Sequence, residues 1–436
     1  MQISKLADIL SNKNVSGYYD TYLKTQWYSE EEMKFYQLKK LQNLVHHCYN
    51  NVPYYTKYMK NINLRPEDIT SVDQISFFPI ITKEIIKENY DFFIPNNIKQ
   101  IKGVKTSQTG GTTGNILFKR NDANTRSSAW ATYKRFTNDW MGVGDNSKKL
   151  ILMGGHVLGS TLAERLKVQL INLLYNQTVF SPYDTSIQNI DRIINALNND
   201  KFEQIRSYSQ FLFQLALKLK DKNLNYHIKS ITTTAEPLTM EHRKLFKEVF
   251  NAEVFDQYGC GEIGGIAYEC DHHQGLHISE EKVLVEVNDN KELIVTDLDN
   301  FAMPFIRYWN ADQATISLNK CSCGRKSKII KEIMGRTCDY IIGLNGQILH
   351  WAYFWHLFFD SQVAKNRNLK KFQVVQEDRY NLKIRLVCDE LSENEKKILN
   401  DNIFIRLGSL NIKYSFEDEI ENSPSGKYRP VVNLLI

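Results

Sequence analysis

Between Lys148 and Gly259 short apolar strands alternate with amphipathic helices, and this alternation constrains the fold more than any other feature of the chain. KKLILMGG (148–155), IKSITTTAE (228–236) and AEVFDQYG (252–259) read as strands. Leu212, Leu215, Ala216 and Leu219 recur at i, i+3, i+4, i+7, the spacing of a helix with one buried face, and a second helix is expected from Met240 to Phe250. Alternation of this kind implies α/β architecture with mostly parallel sheet. VLVEV (283–287) and ELIVTDL (292–298) sit closer together, as in an antiparallel or barrel-like segment. After Gly335 and Arg336 the organisation changes. FQVVQED (372–378) and NLKIRLVCDE (381–390) read as paired strands. A helix from Glu393 to Leu410 and a strand KYSFEDEI (413–420) complete a small β-β-α-β unit. The expected division is a large domain over 1–336 and a small α+β domain over 337–436.

The stretch SQTGGTTG places Ser107, Thr109, Gly110, Gly111, Thr112, Thr113 and Gly114 in one short run. Its glycines let the backbone approach a ligand, and its amides and hydroxyls offer the many donors that phosphate oxygens need. No Gly-Lys-Ser/Thr closes it, so it is not the usual P-loop. The bland alternative is a flexible polar surface loop. Upstream, Leu41, Leu44, Val45 and Cys48 mark a helix from Glu30 to Asn50 that Pro53 ends. Adjacent residues on a helix do not share a face, so His46, His47 and Cys48 read as a packed helix end and not as metal ligands.

Composition narrows the function classes. A chain of 436 residues, 42% hydrophobic and 24% charged, can bury a large core. A formal charge of +5 is small for this size and no basic block stands out, so nucleic acid is not an expected partner. MQISKLADILSNKN lacks the charged-then-apolar layout of a signal peptide. No apolar run approaches the ~20 residues of a membrane span. Seven cysteines, an odd number, do not suggest a disulfide framework. The expectation is a cytoplasmic protein with reduced thiols.

Five stretches taken together resemble the adenylate-forming enzymes. TGGTTG is similar to their phosphate loop, QYGCGE (257–262) to their Tyr-Gly-x-x-Glu element, and VTDLDNFAMPFIRYWNAD (295–312) to their Thr-Asp-Leu…Arg-Tyr…Asp element. GRTCDYIIGLNG (335–346) resembles the Gly-Arg hinge and SPSGKYRP (423–430) the C-terminal Gly-Lys element. HHCYNNVPYYTKYM, AEPLT (235–239) and CSCGR (321–325) resemble phenylacetate–CoA ligases and their capsule-polysaccharide-cluster relatives.

The resemblance implies ATP-dependent activation of a small-molecule carboxylic acid as an acyl-AMP with release of pyrophosphate, then transfer to a thiol such as CoA. An amine acceptor, giving an amide in surface polysaccharide biosynthesis, is the second reading. A non-catalytic nucleotide-binding homologue is the third. By resemblance, residues 107–114 hold the β and γ phosphates and Glu262 helps hold Mg²⁺. Tyr258 packs on adenine or lines the acyl pocket, and Ala235, Glu236 and Pro237 border the nucleotide. Asp312 takes the ribose hydroxyls, Arg336 lies against ribose or phosphate, and Lys427 on a mobile C-terminal domain is the catalytic cation. Arg307 reads as support for the fold. The local alternatives are plain: a loop carboxylate for Glu262, a strand-end aromatic for Tyr258, surface ion-pair partners for Asp312 and Arg336, a solvated turn lysine for Lys427.

The family's Pro-Lys after the loop is absent here. Ile116 and Leu117 stand in that region, Lys119 is displaced, and Cys338 and Asp339 follow the hinge Gly-Arg-Thr. Separately, Cys270, His277, Cys321 and Cys323 form a donor set that suits a closed tetrahedral Zn²⁺ site, with His272 and His273 as competing ligands and metal-free turn cysteines as the alternative. Oligomeric state is left open, a dimer included.

Overall fold

The structure is a computed structural model that describes residues 13–108, 117–153, 162–182, 186–336, 340–344, 346–359, 367–421 and 428–435. The phosphate-loop residues Thr109, Gly110, Gly111, Thr112, Thr113 and Gly114, with Ile116, Cys338, Asp339 and Lys427, lie outside them, as does the side chain of Arg336.

The expected N-terminal helix spans Glu30–Asn51 and starts at a capping box in which the Ser29 hydroxyl accepts from the Glu32 amide and the Glu32 carboxylate accepts from the Ser29 amide. Leu41, Leu44, Val45 and Cys48 form its buried stripe. The chain turns at Val52, and Pro53 opens the next helix, Pro53–Asn61, where its missing N–H costs nothing. His47 bonds the Phe301 carbonyl at 2.9 Å through Nε2, while His46 sits near Glu67, so the two histidines face different neighbours.

A short antiparallel hairpin follows, β1 (Lys105–Gln108) and β2 (Phe118–Asn121), with Ser107 paired to Lys119. Next come β3 (Lys149–Leu152), β4 (Gln177–Val179), β5 (Gln204–Tyr208), β6 (Ser230–Thr234) and β7 (Glu253–Tyr258). They pair in parallel in the order β4-β3-β5-β6-β7. The intervening helices Ile187–Asn199, Ser209–Asp221 and Met240–Phe250 bury their apolar faces on one side of this block, against Leu150, Ile205, Ile231 and Val254.

From β7 onward the pairing is antiparallel. β8 (Ala267–Glu269), β9 (Leu276–Ile278), β10 (Val283–Val287), β11 (Glu292–Asp297), β12 (Tyr308–Ile316) and β13 (Ile329–Arg336) extend the same sheet to eleven strands, in the order β7-β8-β9-β13-β12-β11-β10. The parallel expectation therefore holds only where helices intervene. Connections as short as those joining β8 to β9 and β10 to β11 leave no room for a crossover helix.

The C-terminal unit has its own core, built on Ile341, Phe354, Phe358, Phe372, Val374, Leu382, Ile384 and Leu399. β14 (Tyr340–Ile342) and β15 (Ile348–His350) form a hairpin that leads into the helix Trp351–Phe359. The expected β-β-α-β unit is β16 (Lys371–Gln376), β17 (Asn381–Val387), the helix Glu393–Leu407 and β18 (Asn411–Phe416). β19 (Val431–Asn433) adds in parallel to β16, an addition the sequence pattern did not mark because it is only three residues long. Gln214 donates to the Lys370 carbonyl at 2.6 Å, one of the bonds that join the two units.

Two buried ion pairs brace the large unit. Arg135 and Glu281 pair through a hydrogen bond, with Thr25 also donating to Glu281 at 3.1 Å. Lys282 and Asp297 pair at 2.7 Å with neither side chain reaching solvent. Replacing Arg135 by methionine is expected to destabilise the protein by about 3–5 kcal/mol, because Glu281 is left buried and unpaired. The double variant Arg135→Met with Glu281→Leu should recover most of that loss in urea unfolding.

Candidate active site

The C-terminal ends of β6 and β7 open on a cleft of about 850 Å³ lined by Ala235, Glu236, Pro237, Tyr258 and Asp312 from the large unit and by Trp351, Tyr428 and Arg429 from the small one. Ligand sites in open α/β sheets form at such strand ends. Five of the residues singled out in the sequence thus meet in one cleft. Arg336 joins them through the backbone, since it stands directly across β13 from Asp312 on β12.

Backbone strain marks the turn after β6. Ala235 has φ +67°, in the left-handed region that costs an L-residue about 1–2 kcal/mol. The turn carries Glu236 into the cleft, where one carboxylate oxygen accepts from the Gln210 amide at 2.9 Å. Its other oxygen lies 3.4 Å from the amide of Tyr428, a backbone link to the residue that follows Lys427 in the chain.

Alternate residues of β12 share a face, so Asn310 and Asp312 point together at Tyr258. Tyr258 donates its hydroxyl to Asp312 and accepts from the Asn310 amide at 2.7 Å. Burial, then the Asp312 charge, pushes the Tyr258 phenol well above its usual range, so it remains a proton donor. The carboxylate of Asp312 is fixed in place beside an aromatic ring. Asn310 was not singled out in the sequence; its signal is the i, i+2 spacing to Asp312 within WNAD.

Glu262 sits on the turn after β7 and is 8% exposed, so it is not a solvent-facing loop carboxylate. Lys83, at the start of the helix Lys83–Glu88, lies 3.7 Å from its carboxylate. Lys119 donates to its backbone carbonyl at 3.0 Å. The lysine displaced in the sequence therefore still reaches the Glu262 turn, from the strand that pairs with Ser107. Burial lowers the pKa of Lys119, and Cys260 and Glu262 oppose that shift. At the outer wall of the cleft Arg243 grips Glu269 through two bonds of 2.9 Å. Burial, then the Glu269 charge, pushes Asp256 up to about 7, so this wall carries less negative charge than its carboxylates would suggest. Arg307, by contrast, is committed to Glu286 and to the Phe78 carbonyl, and so braces the fold.

Beyond Glu269 the chain enters a second cluster. Cys270, His277, Cys321 and Cys323 bring their ligand atoms within 4.8 Å of one another. Cys270 and Cys321 sulfurs are 3.6 Å apart, and the Cys323 sulfur is 3.4 Å from His277 Nε2. Tetrahedral zinc with bonds of about 2.0–2.3 Å requires ligand separations of roughly 3.3–3.8 Å, and these two fit. The Ser327 hydroxyl lies 2.9 Å from His277 Nδ1, which orients Nε2 inward. The competing histidines turn away: His272 Nδ1 meets Ser322 and His273 Nδ1 meets Glu269. Gly275 permits the approach of β9 to β13, since a Cβ there would lie 2.6 Å from Ile329 Cγ2.

The family model described as the CapK C-terminal domain matches residues 341–434. In sequence the chain is also similar to phenylacetate-coenzyme A ligases over most of its length. A phenylacetate-coenzyme A ligase of Pseudomonas putida is 24% identical over 405 residues, 85% of this chain and 86% of that protein. That of Thermus thermophilus is 24% identical over 340 residues, 72% of each. A solved 2-hydroxyisobutyryl-CoA ligase in the postadenylation state, in complex with R3-HIB-AMP, aligns with a TM-score of 0.74 at 15% identity, covering 94% of this chain and 91% of that one. The chain is thus similar in sequence to phenylacetate–CoA ligases and has the fold of the adenylate-forming ligases. Among the described residues no helix is long and apolar enough to cross a membrane.

Proposed function

We propose that this relative of the phenylacetate–CoA ligases, an adenylate-forming ligase in fold, activates a carboxylic acid with ATP and passes the acyl group to CoA. The observation that carries the reading is the convergence of Ala235, Glu236, Pro237, Tyr258 and Asp312 with the segment after Lys427 in one cleft. A carboxylate oxygen attacks the α-phosphorus, the bond to the bridging oxygen breaks, and pyrophosphate leaves. The thiol sulfur then attacks the acyl carbon and AMP leaves.

In this reading Asp312 accepts from the two ribose hydroxyls, for which a carboxylate has acceptors enough. Tyr258 forms the wall beside it, and Arg336, its cross-strand partner, flanks the ribose. Ser107 and residues 109–114 supply phosphate donors. Glu262 suits Mg²⁺, which takes one or two carboxylates and completes its shell with water and phosphate oxygens. When bound, the ion neutralises charge on the phosphates. Lys83 and Lys119 hold the turn that presents Glu262. Cys270, His277, Cys321 and Cys323 hold a structural zinc, since four protein ligands leave no open position for water.

The test is pyrophosphate release with Mg-ATP across a panel of carboxylic acids, with and without CoA. Asp312→Ala is expected to raise the KM for ATP by about tenfold or more, the scale of a lost charge-assisted bond. Acid-independent hydrolysis alone, or no ATP binding, would remove the proposal. AMP release that requires an amine and ignores CoA would transfer it to the amide-forming alternative.

A further inference from the structure

The two faces of the parallel block differ in chemistry. Ile205, Ile231 and Val254 face the apolar core under the helices. On the opposite face, register places Gln204 beside Ser230, Arg206 beside Thr232 and Phe255, and Tyr208 beside Thr234 and Gln257. The helix Ala123–Arg135 and the turn after it cover this second face: Phe136 packs on Phe255 and Tyr268, and Thr232 reaches Met141.

Four polar atoms on this face are buried and make no hydrogen bond within the described protein: Gln204 Oε1, Arg206 Nε, Ser230 Oγ and Gln257 Oε1. Arg206 forms no ion pair among the described residues. Its guanidinium lies 4.0 Å from the ring centre of Tyr133. An unsatisfied buried donor or acceptor costs about 1–3 kcal/mol, and these four gather on one face of three adjacent strands. The row also has a direction. Gln257 lines the cleft and Thr234 precedes Ala235, which lines it too. Arg206 stands beside Thr232, one two-residue step of roughly 6.6 Å further down the strands.

Resting on the adenylation reading, we infer that the acid activated here is a short dicarboxylic acid whose far carboxylate pairs with Arg206. The near carboxylate reacts at the strand ends, beside Ala235 and Tyr258. The carbon chain runs from the strand ends over the Tyr208–Thr234 row, and the second carboxylate meets the guanidinium. Gln204 and Ser230 lie deeper in the same row. A planar guanidinium takes a carboxylate through two parallel bonds and holds its charge at any physiological pH. An aryl or alkyl monoacid of the same length would bury Arg206 with no acceptor, which is the kind of mismatch a polar site rejects most strongly.

The experiment compares succinate, glutarate and adipate with butyrate, valerate and hexanoate in acid-dependent pyrophosphate release. It is run on the wild type, Arg206→Gln and Arg206→Lys, with thermal stabilisation by each acid as a second readout. The wild type should favour one diacid over its matched monoacid by about 100-fold in kcat/KM. Arg206→Gln should bring that ratio towards one, and Arg206→Lys should restore part of it. Equal use of both acid classes, or an unchanged ratio in Arg206→Gln, overturns the inference and leaves adenylation standing. Stabilisation of the wild type by a diacid, lost in Arg206→Gln, with no pyrophosphate release from any acid, removes adenylation and keeps the diacid site. Absence of both signals overturns the inference, the polar row then being satisfied by water.

Discussion

Lys427→Ala is expected to lower acid-dependent pyrophosphate release by about 10²–10³-fold, the effect of removing one group aimed at charge that develops in a transition state. Lys427 is bonded to Tyr428, and Tyr428 and Arg429 line the cleft with Ala235 and Glu236. The link between the Tyr428 amide and Glu236 ties this part of the small unit to the strained turn after β6. In the proposed reaction an ammonium placed beside the attacking carboxylate and the α-phosphate would stabilise most the negative charge that gathers between them. If it acts in the transition state, kcat and kcat/KM fall together while ATP binding and the thermal midpoint stay near wild type. A rate close to wild type would show Lys427 to be a solvated turn residue. A rise in KM alone would make it a ground-state contact.

The second large effect is expected at the cysteine cluster. Cys321→Ser should abolish stoichiometric zinc in elemental analysis and destabilise the protein by more than about 4 kcal/mol, the range in which loss of a structural metal falls. The cluster joins three parts of the large unit. Cys270 and His277 belong to the β8–β9 hairpin, and Cys321 and Cys323 to the connection between β12 and β13. Arg325, two residues on, lies against the rings of Trp27 and Trp140 and donates to Gln26 at 3.0 Å, which brings in the N-terminal region. Glu269, the residue before Cys270, holds Arg243 in the wall of the cleft. Chelation should therefore lower both the thermal midpoint and activity, with zinc restoring them together. Purified protein without zinc, unaltered by Cys321→Ser, would show four reduced thiol and imidazole groups packed without a metal.

Local pattern was informative wherever one residue's neighbours in sequence are also its neighbours in space. The helix Met240–Phe250 and the strand Val283–Val287 have the bounds their periodicity indicated. The π turn Phe136–Trp140, which stops the preceding helix at Arg135, was not visible, because its aromatic residues suit a continued helix equally well. The hairpin β14–β15 was missed because three-residue strands carry no measurable alternation.

The candidate site divides in the same way. Sequence alone determined which residues have the chemistry: the donor-rich run after Ser107, the carboxylates of Glu262 and Asp312, and the four soft ligands on two separate loops. These follow from residue type and from short spacings, which survive without knowledge of the fold. Only the tertiary structure decided which of them meet. It set Asp312 against Tyr258 and Asn310, brought displaced Lys119 to the Glu262 turn, and selected His277 over His272 and His273. It alone gathered Gln204, Arg206, Ser230 and Gln257 on one face. Those four come from three strands whose register is fixed by burial of the opposite, apolar face, and register is a long-range property that no local spacing encodes.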